Sequence, residues 1–89
     1  MPDQREIVMY WQPFCVYCID LRWRMRRAKL PYTRIDIKKD REAAAFVRTV
    51  ADGNEVTPTV TVGGHAMVNP SIRQVLAAVE EHAPHLLAP

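Results

Sequence analysis

Apolar and polar residues follow several different periods along this chain. Glu6 to Trp11, EIVMYW, is a nearly continuous apolar run of β-forming residues, the pattern of a central strand covered on both faces. Beyond Pro13, residues Cys18, Leu21, Met25 and Ala28 recur at spacings of three and four, which predicts a helix from about Phe14 to Lys29 with one apolar stripe. Leu30 and Pro31 end it. Trp23, with Val16 and Ile19, lies opposite that stripe, so either another element covers this second face or a large apolar residue is exposed beside the cysteines. Tyr32 to Ile37 alternates Thr33, Ile35 and Ile37 against Tyr32, Arg34 and Asp36, a period of two that predicts a second strand reached by a βαβ crossover.

Asp40 is placed to cap a second helix, with Ala43, Phe46, Val47 and Val50 on its buried face and Gly53 as its stop. Thr59 to Val68 reads as two short strands around a Gly63-Gly64 hairpin turn. The last helix is predicted with Asn69 as cap, Pro70 at the first helical position and Ile72, Val75, Leu76 and Val79 facing inward, until Pro84 ends it. The order βαβ, α, ββα contains no internal repeat and no linker. It predicts one α/β domain over residues 1–89.

Composition narrows the class. A chain of 89 residues has room for one small core. With 48% apolar and 25% charged residues it has the balance of a soluble globular protein. The net charge of +2 is too small to imply nucleic acid by itself, since phosphate binding needs a concentrated basic face. The most basic tract, Arg22 to Lys29, falls in the last turns of the first predicted helix, where cations complement the negative end of the dipole. The N-terminal residues carry Asp3 and Glu6 with no apolar stretch of signal-peptide length, and no segment is apolar enough to span a membrane. A cytoplasmic protein with neither membrane nor nucleic-acid partner is expected.

The candidate chemistry is WQPFCVYC, residues 11 to 18, which holds the only two cysteines. Two cysteines in a reducing compartment point to redox or metal chemistry rather than a permanent cross-link, and Cys-x-x-Cys where a strand hands over to a helix in a βαβ pattern is a specific redox signal. Cys15 meets the free backbone amides and positive dipole end of the helix, both of which favour its thiolate, the nucleophilic form. Cys18 sits on the apolar stripe, where burial keeps it a thiol until Cys15 is oxidised, so its role is resolving. A closed zinc site would need four ligands, and His65, His82 and His85 lie in a hairpin and a tail, so they read as surface residues and no metal is expected.

WQPFCVYC, Val56-Thr57-Pro58-Thr59 before a strand, the Gly-Gly hairpin and the Asn-Pro-Ser segment together resemble the glutaredoxin branch of the thioredoxin fold, most closely the mycoredoxins. The resemblance covers residues 6 to 83 and implies a four-stranded mixed sheet with three helices. It implies a cis peptide before Pro58 and a substrate site comprising Gln12, Phe14, Tyr17, Val56, Thr57, Pro58 and Asn69, with the residue before the proline offering backbone groups to the substrate disulfide. It also implies a thiol-disulfide oxidoreductase with no bound cofactor, using a low-molecular-weight thiol as reducing co-substrate and S-thiolated or disulfide-containing proteins as substrates. An NADPH-dependent disulfide reductase would complete the cycle, and the chain is expected to act as a monomer. Val16-Tyr17 departs from the Pro-Tyr common in glutaredoxins and the Gly-Tyr of mycoredoxins.

Which thiol is used turns on Asn69-Pro70-Ser71. Typical glutaredoxins meet the γ-glutamyl zwitterion of glutathione with an acidic residue and free amides at the start of the last helix; here no acid stands in that segment, and Pro70 has no amide hydrogen. Mycothiol, a sugar and an inositol without an amino-acid zwitterion, suits the neutral Asn69, Thr57 and Asn54 better. Three alternatives remain open at this point besides a general glutathione-dependent glutaredoxin: a redoxin served by thioredoxin reductase, for example in ribonucleotide reduction, an iron–sulfur carrier, and a nucleic-acid-binding module.

Overall fold

A computed structural model describes residues 6–87. Asp3 and both ends of the expected 1–89 domain lie outside them. The elements are β1 (Ile7–Trp11), α1 (Val16–Arg27), β2 (Thr33–Asp36), α2 (Arg41–Val50), β3 (Thr59–Val62), β4 (His65–Val68) and α3 (Ile72–His82), with a short 3-10 turn at Pro84–Leu86. The sheet order is β2-β1-β3-β4, so the most apolar strand is internal, as its pattern predicts. β1 pairs parallel to β2 and antiparallel to β3, and β3 pairs antiparallel to β4. This mixed four-stranded sheet with three helices is the thioredoxin fold.

Strand alternation divides the core in two. Ile7 and Met9 of β1 and Val60 and Val62 of β3 join Leu21 and Met25 of α1 and Val75, Ala78 and Val79 of α3 in one buried cluster. Ile37 with Ala43, Ala44 and Val47 of α2 forms a second, packed by Tyr10 and Ile35. Tyr10 and Phe46 meet with ring centroids 5.1 Å apart. Period-two alternation therefore sends α1 and α3 to one face of the sheet and α2 to the other. Asp40 caps α2 by accepting from the Ala43 N–H at 3.0 Å. Gly63 and Gly64, with φ of 55° and 86°, form the two-residue turn that lets Val62 pair with His65; both positions demand the left-handed region.

Two expected boundaries need correction. The first helix starts at Val16 rather than near Phe14, because Phe14 takes φ 64° and Cys15 is extended as the N-cap. The last helix is capped by Ser71, not Asn69, and Pro70 precedes the cap instead of occupying the first turn. Ser71 Oγ accepts from Gln74 N–H at 3.2 Å while Gln74 Oε1 accepts from Ser71 N–H at 2.8 Å, a reciprocal pair that Asn69, with φ 47°, does not make. The face opposite the α1 stripe is uncovered: Trp23, Val16 and Ile19 are exposed. Among the described residues no helix is long and apolar enough to cross a membrane.

Candidate active site

Cys15 follows the C-terminal end of β1 and caps α1, so its sulfur is directed at the first turn. Cys15 Sγ accepts a hydrogen bond from the Cys18 N–H at 3.2 Å, and Cys18 itself is buried. The two cysteines form a disulfide, their Cα atoms 5.2 Å apart. One cysteine is thus half-buried and the other fully buried, an asymmetry produced by a single helical turn.

The loop before β3 closes over Cys15 from the other side. The Thr57–Pro58 peptide is cis. Thr57 Oγ1 donates to Cys15 Sγ at 3.5 Å, and the Thr57 carbonyl oxygen lies 3.6 Å from the same sulfur, within reach of a thiol proton in the reduced form. Gln12 Nε2 donates to Thr57 Oγ1 at 3.0 Å, which directs the Thr57 hydroxyl hydrogen toward the sulfur. Val56 is half-buried, and its carbonyl accepts from Thr59 Oγ1 at 2.8 Å. Asn69 N–H donates to the Pro58 carbonyl at 2.8 Å, which ties the end of β4 to the same loop. Three segments far apart in the chain, around residues 12–18, 56–58 and 69, are thereby brought together.

Tyr17 and Asn69 border a groove of about 500 Å³ between α1 and the start of α3. Its walls also include Asp20, Arg24, Ile72, Arg73 and Gln74. Asp20 is held by Arg24 at 2.9 Å, with both side chains more than half exposed. Phe14 stands fully exposed beside Cys15, making no packing contact that would fix its ring. Asp20, Arg24 and Arg73 were not expected at the groove from sequence. The Ser71-x-x-Gln74 spacing was the available signal, since it makes Arg73 the second residue of α3. The first helical N–H therefore belongs to Ile72, not to Pro70, and neither it nor the Arg73 N–H can find a partner within the helix.

His65 and His82 do not approach the cysteines as a ligand set; their rings stack on one another with centroids 4.7 Å apart. Among the described residues no group of three or more His, Cys, Asp or Glu side chains is arranged to hold a metal.

The family model described as Glutaredoxin matches residues 7–67, from the first strand into the hairpin. Mycoredoxin 1 of Corynebacterium glutamicum is 36% identical over 77 residues, covering 84% of this chain and 94% of that protein. The crystal structure of the thioredoxin-like protein BC3987 is similar with a TM-score of 0.72 at 26% identity, over 82% of this chain and 99% of that one. A buckwheat glutaredoxin crystallised in complex with glutathione shares the fold, with a TM-score of 0.72 at 14% identity over 97% of this chain and 84% of that one.

Proposed function

Since the chain belongs to the glutaredoxin family of thiol-disulfide oxidoreductases, we propose that it removes a low-molecular-weight thiol, mycothiol, from S-thiolated proteins in the cytoplasm as a monomer. The observation that carries this reading is Cys15 at the start of α1, its sulfur hydrogen-bonded by Cys18 N–H and by the Thr57 hydroxyl, while Cys18 is buried one turn behind. Hydrogen bonds to a sulfur and a helix N-terminus both stabilise negative charge on it. Cys15 thiolate attacks the small-thiol sulfur of the mixed disulfide, the old S–S bond breaks, and the protein thiolate leaves and takes a proton from water. The small thiol is now joined to Cys15. A second mycothiol thiolate attacks that adduct and releases the symmetric disulfide, or Cys18 attacks Cys15 and expels the small thiol, leaving the Cys15–Cys18 disulfide. An NADPH-dependent disulfide reductase returns the thiol pool to its reduced form.

Two points support mycothiol. The first turn of α3 has no acidic residue to meet an ammonium, the groove's one carboxylate, Asp20, being paired with Arg24, and the relative named mycoredoxin resembles this chain over most of its length. Pro70 precedes the cap, so its missing amide hydrogen takes nothing from the helix start. Glutathione is therefore the second reading, favoured by the free amides of Ile72 and Arg73, which suit a carboxylate. Steady-state turnover of one mixed-disulfide protein with mycothiol, glutathione or thioredoxin reductase as electron source separates the readings. Mycothiol should give the highest rate. Equal rates with glutathione would make this a general glutaredoxin, and activity with thioredoxin reductase alone would make it a redoxin.

A further inference from the structure

We propose that the outer face of α1 seats an acidic, partly apolar segment of the protein substrate, whose carboxylates lie about three to five residues from the modified cysteine. The proposal rests on the oxidoreductase reading for its delivery of a protein cysteine to Cys15. Its structural basis is separate. Val16, Ile19 and Trp23 are 74%, 62% and 59% exposed and share the side of α1 that faces away from Cys18, Leu21 and Met25. At 1.5 Å per residue, Trp23 lies about 10 Å and Arg27 about 16 Å along the helix from Val16, the neighbour of Cys15. An extended peptide covers that distance in about three to five residues at 3.3 Å each. The surface thus runs from reactive sulfur through an apolar row to a basic end.

The basic end is concave. A depression of about 390 Å³ beside Trp23 is lined by Arg24, Arg27, Asp20, Ala28 and Ile72. The Arg27 guanidinium lies over the Trp23 ring at 4.9 Å from its centroid, which fixes a cation next to the apolar surface. From Val16 to Lys29 the chain carries Arg22, Arg24, Arg26, Arg27 and Lys29 against the single acid Asp20, itself paired with Arg24. Charge complementarity therefore selects a carboxylate-bearing occupant. A second copy of this chain would bring the same arginines face to face, which opposes association. A nucleic acid would meet the arginines but leave the apolar row, which lies between them and the sulfur, unfilled.

The test uses the whole chain and synthetic peptides with Asp-Asp or Lys-Lys four residues from a central cysteine and one leucine between. Versions with serine for that cysteine report binding through the Trp23 indole signal. Versions carrying the small thiol report turnover, alongside a small disulfide with no peptide. The acidic serine peptide should shift the Trp23 indole, the basic one should not, and Arg27→Glu should weaken binding about fivefold. Turnover of the acidic peptide should exceed that of the basic one by a similar factor, and added salt should erase the difference. Equal binding of both peptides overturns the proposal. So does an indole shift that appears only with self-association in sedimentation, or only with a single-stranded oligonucleotide. Loss of small-disulfide turnover with peptide binding intact would instead refute the oxidoreductase reading.

Discussion

Cys15 Sγ takes hydrogen bonds from one backbone amide and one hydroxyl, and Cys18 is buried on the same face of α1 as Leu21 and Met25. In the reduced protein, alkylation of Cys15 should therefore have a midpoint below the free-thiol value of about 8.5, and Cys18 should react slowly. Rate against pH with iodoacetamide, followed by peptide mapping, measures both. Tyr10 gives a second prediction at this scale. Burial against Phe46, and then the charge of Asp40, raise its pKa above the usual 10.0. A phenol that holds its proton more tightly when folded stabilises the fold fully below pH 10 and loses that contribution as pH rises toward the raised value. Urea denaturation should show stability falling above about pH 10, and Tyr10→Phe should flatten that fall. The two cysteines were legible in the sequence because residue type, spacing and place after an apolar strand all agreed. The resemblance named Thr57 and Gln12, but the bonds they make, Thr57 hydroxyl to Cys15 and Gln12 amide to Thr57, were not legible, since they span 42 and 45 residues.

At the scale of elements, local rules located all four strands and three helices. They failed where two capping residues competed. Asn69-Pro70 is a good helix start by residue preference, and Ser71-x-x-Gln74 is a better one because it satisfies two backbone groups reciprocally. Phe14 misled in a similar way, as an aromatic beside the apolar stripe that in fact takes a left-handed conformation before the cap. Ser71→Ala should lower stability by about 1 kcal/mol in chemical denaturation, with α3 amides near the cap losing exchange protection first. No change in either would show that Asn69 can take over the cap. The second face of α1 could not be assigned from period alone, because whether another element covers Trp23 depends on where the chain goes after β2.

The whole molecule sets one half-buried cysteine at the meeting point of three surfaces: the groove toward α3, the Thr57-Pro58 loop, and the outer face of α1 with its arginines. The groove joins Tyr17, Asp20 and Arg24 to Asn69 and Arg73, and only the fold brings them together; a net charge of +2 hides five cations gathered on α1 and the residues just after it. The two proposals assign small thiol and protein substrate to different surfaces beside Cys15. The unequal roles of the two cysteines are the centre of that assignment. They are tested most directly by mass spectrometry of single-cysteine variants mixed with a mycothiolated protein. Cys18→Ser should release the reduced protein and retain mycothiol on Cys15 as a stable adduct, turned over when free mycothiol is added, while Cys15→Ser should release nothing. An adduct on Cys18 in the Cys15→Ser variant, or no release by Cys18→Ser, would contradict the account.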